Sequence, residues 1–255
     1  MSTQEVFLSR IRRALQGRAD TPHAAHGEAA LPASILESAE AIRARLHHQR
    51  AALVARLQDE LRAVGGQVVW VKSAAEATRY VTQLAREYEA DLVVRWEDDL
   101  LKMLEVDAAL QEQGVEVRTA APPLEDPEAM AEQRRNLRDL LARADIGLSG
   151  ADYVIAETGT LALSTLPGQM RGVSLLPPVH VAVVKPSQIV GTMADCLAML
   201  QDEGRADLPE RLTSCVSFIT GPSRTGDIEL SLTIGVHGPG ELHLIILDDR
   251  SDTES

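Results

Sequence analysis

The sequence predicts an α/β protein built on a mainly parallel sheet, and three observations carry that expectation. Short, mostly apolar runs at 68–71, 92–94 and 115–117 have the length of buried strands. A helical pattern lies between each pair of them. The links are only a few residues long, which is the mark of repeated βα units with right-handed crossovers.

Each element has its own local reason. Residues 3–16 form an amphipathic helix with Val6, Phe7, Ile11, Ala14 and Leu15 on one side and Arg10, Arg12 and Arg13 among the rest. It packs on its own domain or on a second subunit, so a homo-oligomer is compatible with it. Residues 17–34 read as a linker, where His23 and His26 are solvated rather than metal ligands. The α/β domain is expected over 35–248, with an acidic tail at 249–255.

Residues 37–64 form a long helix stopped by Gly65-Gly66. The strand at 68–71 follows, then Ser73-Ala-Ala-Glu76 opens a helix to about residue 89 as a capping box. After the strand at 92–94, Asp98 or Asp99 caps a third helix ending at Gly114. The strand at 115–117 leads to Pro122-Pro123, and Asp126-Pro127 starts a fourth helix to about Arg143.

In the second half, strands at 154–156 and 161–163 enclose Glu157-Thr158-Gly159-Thr160. A loop with Arg171 precedes the strand at 181–184. Ser187 caps a helix over 189–201, residues 202–210 are a polar link, and 215–220 is a strand. Residues 228–234 read equally as strand or helical turn. A Gly-rich loop at 235–240 precedes the closing strand at 242–247.

Composition bounds the function. A net charge of −13 and a pI near 5.0 argue against non-specific nucleic-acid or anionic-membrane binding, yet leave room for a local basic pocket. Cys196 and Cys215 form no Cys-x-x-Cys pair, so neither an iron–sulfur nor a structural zinc motif is present. No run approaches a membrane span and no signal-peptide pattern opens the chain, so a cytoplasmic location without membrane insertion is expected. No dinucleotide fingerprint or P-loop occurs. No cofactor and no metal are therefore expected.

Four polar loops adjoin apolar strands. Glu157 with Thr158, Gly159 and Thr160 is either a hairpin turn or a carboxylate beside a cluster of donors. Gly221-Pro-Ser223-Arg224-Thr225-Gly-Asp227 is either a structural turn or an anion cradle, with a fork-shaped guanidinium and backbone N–H groups for a carboxylate or phosphate. Arg171, Gly238 and His237 complete the set. Glu157 and His237 are the candidate catalytic groups, and the others are candidate ligand contacts. These loops are expected to share one crevice. His180 and His243 read as packing histidines. No Gly-x-Ser-x-Gly elbow surrounds Ser149 or Ser164.

Five stretches taken in order go further: Ile155-Ala-Glu-Thr-Gly-Thr-Leu161, Ser174-Leu-Leu-Pro177, His180-Val-Ala-Val-Val184, Ile219-Thr-Gly-Pro-Ser-Arg-Thr-Gly-Asp-Ile-Glu229 and Gly235-Val-His-Gly-Pro-Gly-Glu-Leu-His243. Together they resemble the LUD-domain family, in particular its short members without cluster cysteines. The resemblance covers roughly residues 35–247. It implies an α/β three-layer sandwich similar to the sugar-phosphate isomerase and CoA-transferase superfamily. It also implies a part in oxidising L-lactate to pyruvate, with iron–sulfur partner subunits. It assigns no catalytic residue. A stand-alone isomerase or acyl/CoA-transferase using Glu157, and an assembly protein with a vestigial pocket, remain the alternatives.

Overall fold

The computed structural model describes residues 38–120, 127–165, 168–206, 215–226 and 232–248. The expected N-terminal helix, the linker, Asp227 and the acidic tail lie outside these residues. The chain divides into two units, Met1–Glu37 and Ser38–Ser255, and the described residues all belong to the second.

Six parallel strands form the main sheet. They are β1 (Gln67–Val71), β2 (Leu92–Arg95), β3 (Glu116–Thr119), β4 (Ile146–Ser149), β7 (Val179–Val184) and β12 (Glu241–Leu247). Their order is β1-β12-β7-β4-β2-β3. The interior strands are apolar along almost their whole length because both faces are covered.

Helices α1 (Ala39–Ala63), α2 (Ala74–Glu87), α3 (Asp99–Met103) and α4 (Val106–Gln111) belong to the first half of the chain. Helices α5 (Pro127–Arg143), α6 (Gly172–Leu175) and α7 (Met193–Ala206) follow. The crossovers from β1 through β3 run one way along the sheet, and those from β3 back to β12 run the other. Right-handed connections therefore put α2–α4 on one face and α5–α6 on the other, and α2 packs on α4 as α5 packs on α6. This is a three-layer α/β sandwich.

Between β4 and β12 the chain builds a second sheet in the order β8-β5-β6-β9. Its strands are β5 (Tyr153–Ile155), β6 (Thr160–Ser164), β8 (Ile189–Val190) and β9 (Val216–Thr220). A short antiparallel ribbon pairs β10 (Arg224–Gly226) with β11 (Leu232–Ile234), so the end of the undecided stretch at 228–234 is strand.

Three elements differ from the sequence expectation. The helix expected over 98–114 breaks at Glu105, whose φ is 51°. The Thr78 hydroxyl donates to the Leu104 carbonyl at 2.6 Å, which gives that carbonyl a partner outside the helix. The helix expected from Ser187 begins only at Met193. Before it come a 3-10 turn, Pro186–Gln188, and β8. Its cap is Thr192, whose N–H donates to the Asp195 carboxylate while Thr192 Oγ1 accepts from Asp195 N–H. Finally, β4 was not expected at all, and it sits in the middle of the sheet.

Candidate functional site

The strand order reverses between β2 and β4. From β2 the chain continues toward β3; from β4 it continues toward β7. Adjacent parallel strands whose connections leave in opposite directions open a crevice at their carboxyl ends. A cleft of about 540 Å³ lies there. Trp96 and Asp98 line it after β2, Ala151 and Asp152 after β4, and Ser187 and Gln188 after β7. Helix α1 supplies a wall with Arg43, Leu46, His47 and Arg50, and Gln169 also lines it, with Tyr153, Val190 and Met199. Positions 43, 47 and 50 fall on one helical stripe about 10 Å long.

Most polar groups of this cleft are already engaged. Asp98 caps α3, accepting from Leu100 N–H at 2.9 Å and Leu101 N–H at 3.2 Å. Asp152 accepts from Ser164 N–H. Gln188 accepts from Lys185 N–H at 2.7 Å and donates to the Ala151 carbonyl. Arg43 pairs with Asp202 at 2.8 Å. Arg50 is different. It is half-buried and has no carboxylate partner among the described residues. Gln169 Oε1 is buried with no hydrogen-bond partner. Among the described residues, no group of three or more His, Cys, Asp or Glu is placed to hold a metal ion. None of the described helices is long and apolar enough to cross a membrane.

The sequence-derived candidates occupy the other end of the sheet. Glu157-Thr158-Gly159-Thr160 turns against the last turns of α1. A Cβ on Gly159, whose φ is 64°, would stand 2.7 Å from backbone atoms of Leu61. Thr158 and Thr160 hydroxyls meet at 2.7 Å, and Thr160 meets Thr220 at 2.6 Å. Gly221 packs on Val64, and Arg224 donates to the Val64 carbonyl at the end of α1. Ser223 N–H donates to the Pro239 carbonyl at 2.8 Å, and its own carbonyl accepts from Gly235 N–H at 2.9 Å. Gly238 packs beside Ser223. Thr225 pairs with Thr233 across the ribbon.

These loops therefore do converge, around the amino ends of β1, β7 and β12. Glu157 and His237 are exposed there. Arg171 stands apart, donating to Cys215 Sγ at 3.3 Å. Asp227 lies outside the described residues. Sequence reading missed Arg50, His47 and Gln169. The signal for the first two was a basic stripe on a helix whose other side, Ile42, Leu46, Leu53, Leu57 and Leu61, is buried.

The two histidines of the main sheet are buried, as expected. Ser149 Oγ donates to the Gly150 carbonyl at 2.8 Å and so accepts from His180 Nε2–H at 2.8 Å. His180 Nδ1 has no partner. Burial, with a smaller contribution from charge on His243, holds His180 down at about 3. Burial also lowers His243, against the opposing pull of Glu241. His243 Nδ1 lies 2.8 Å from the Tyr80 hydroxyl.

Known proteins supply the remaining comparison. The LUD domain profile matches residues 54–247. Lactate utilization protein C of Halalkalibacterium halodurans is 35% identical over 170 residues, covering 67% of this chain and 68% of that protein. Its namesake in Shouchella clausii is 41% identical over 110 residues, covering 42% and 45%. Uncharacterized electron transport protein YkgF of Escherichia coli is 26% identical over 233 residues, covering 76% of this chain and 47% of that protein. For the latter two, then, the match spans about half of the relative's length. A crystal structure of a DUF162 family protein from Deinococcus radiodurans aligns with a TM-score of 0.50 and 23% identity, over 78% of this chain and 98% of that one. That likeness concerns the fold alone. A profile match over three quarters of the chain, together with the first relative, establishes that the chain belongs to the LUD-domain family.

Proposed function

We propose that this chain works in lactate utilization, in the oxidation of L-lactate to pyruvate beside iron–sulfur partner proteins, and that the cleft between β2 and β4 holds its small anionic ligand. The relatives named lactate utilization protein C support the process, and the relative named as an electron transport protein supports the redox setting. The observation that carries the ligand assignment is Arg50. A half-buried guanidinium without a carboxylate, in a chain of net charge −13, is a local focus for an anion. Oxidation of lactate releases two electrons and two protons. With two cysteines in the whole chain, the electrons pass to clusters carried by the partners. The alternative enzyme built on Glu157 gains no support from geometry, since that carboxylate is exposed and does not line the cleft.

The test is lactate-dependent dye reduction, together with calorimetric titration of L-lactate. Reduction is expected only after the chain is mixed with candidate iron–sulfur partners. Arg50→Ala is expected to weaken lactate binding about tenfold or more, the loss of a charge-assisted contact of about 1.5–3 kcal/mol. Reduction by the chain alone would remove the need for partners. Unchanged binding by the variant would move the ligand out of the cleft.

A further inference from the structure

Gln169 is fixed in place on both sides. The carbonyl of Gly168 accepts from Glu97 N–H at 3.0 Å, and the carbonyl of Met170 accepts from Trp96 Nε1–H at 2.9 Å. Gly168 itself has a φ of 82°, and a Cβ there would press on Glu97, so the loop approaches the end of β2 as closely as glycine permits. One backbone bond and one from the Trp96 indole thus clamp the residue to the carboxyl end of β2, at the lip of the cleft. Yet its side-chain oxygen is buried with no hydrogen-bond partner among the described residues, and the residue lines the cleft. Buried polar atoms without partners are rare in folded chains, and one on a residue that lines a cleft points to a ligand there.

We propose that Gln169 is the specificity-determining residue of the cleft and that it reads the hydroxyl of a 2-hydroxy acid whose carboxylate is held by Arg50. This rests on the cleft being the anion site, as argued above. The chemistry follows from donors and acceptors. The buried amide oxygen is an acceptor, so it needs a ligand that can donate. A hydroxyl on the carbon next to the carboxylate donates. With the amide oriented as in the structure, the keto oxygen of the oxidised acid, an acceptor only, would face the amide oxygen with no proton between them. A plain carboxylic acid offers hydrogen in place of oxygen there and leaves the amide oxygen unpaired. The cleft therefore holds the reduced acid and releases the oxidised one, which is the preference an oxidation needs.

Titration of the wild-type chain with L-lactate, pyruvate and propionate reads this directly, with thermal melts as the folding control. L-lactate is expected to bind about tenfold more tightly than either of the others. Gln169→Met and Gln169→Leu are expected to bring all three ligands to the affinity of propionate, while Arg50→Ala loses all three. Equal binding of the three ligands by wild type overturns the role of Gln169 and leaves the anion site standing. Persistence of lactate preference in both Gln169 variants overturns it too. Failure of all three ligands to bind the wild type, or undiminished binding by Arg50→Ala, brings down the cleft assignment itself. If either variant fails to fold, the wild-type comparison of the three acids still decides.

Discussion

The two ends of the main sheet make opposite use of polar residues. At the amino end, glycine-rich loops with threonines, a serine and an arginine crowd around the last turn of α1. Most groups there are consumed by structure, Thr158 by Thr160, Thr160 by Thr220, the Ser223 backbone by Pro239 and Gly235, and Arg224 by Val64, while Glu157 and His237 stay exposed. At the carboxyl end the sequence is less conspicuous, but beside a cleft Arg50 has no carboxylate and Gln169 Oε1 no hydrogen-bond partner among the described residues. Motif density therefore points here to a packing junction. Polar groups left unpaired beside a cleft are what the proposed ligand would engage. The lesson is that a loop rich in donors can be rich because three strands and a helix end must all be joined at one place.

The sharpest way to test that contrast is Gly159→Ala. A methyl group there meets the α1 backbone at 2.7 Å, and φ is 64°. Backbone strain and overpacking each contribute about 1–3 kcal/mol, so a large fall in Tm is expected, with ligand affinity of the folded fraction unchanged. Chemical denaturation and titration of the same sample separate the two. A variant that stays stable but loses its ligand would make the amino end the site.

Next in size is the acid sensitivity of the sheet between the two ends. His180 is held well below its usual 6.5, so the unfolded chain takes up a proton that the native chain refuses. Stability is thus full above about pH 6.5 and is lost as pH falls toward the native value. The slope is about 1.4 kcal/mol per pH unit at most for one fully shifted histidine. His243 adds to it with the same sign. Between pH 6.5 and 5, above most carboxylate titration, His180→Gln is expected to flatten the pH dependence of denaturant midpoints. Parallel curves for wild type and variant would show that His180 is not kept neutral.

The smallest effect belongs to Arg224→Ala. Losing its bond to the Val64 carbonyl should lower stability by about 0.5–1.5 kcal/mol and leave lactate titration unchanged. The reverse pattern, intact melting with binding weakened tenfold, would restore this arginine as an anion anchor and erase the contrast between the ends.

The sequence made β1, β2, α1 and α2 legible, because apolar runs, the Gly65-Gly66 stop and the Ser73 cap act locally. It hid β4. Gly147 and Ser149 make half of that strand look like a loop, and both residues are set by tertiary demands. The Val173 carbonyl passes so close to Gly147 that a Cβ would come within 1.8 Å of it, and Ser149 bonds His180. Missing β4 meant missing the reversal of strand order, and with it the cleft. Arg50 and Gln169 belong to segments far apart in sequence, and nothing local in either says that its side chain will go without a partner.

The position of β12 has a consequence in time. It slots between β1 and β7, pairing Gln67 with His243 and Val179 with Glu241. Among the described residues, strand β1 has no other neighbour in its sheet. A growing chain therefore carries its first strand unpaired, with an open groove beside β7, until the last one emerges. Contacts so distant in sequence close slowly, and the exposed strand edges invite association in the meantime. Residues 241–247 are thus the segment that joins β1 to the rest of this sheet.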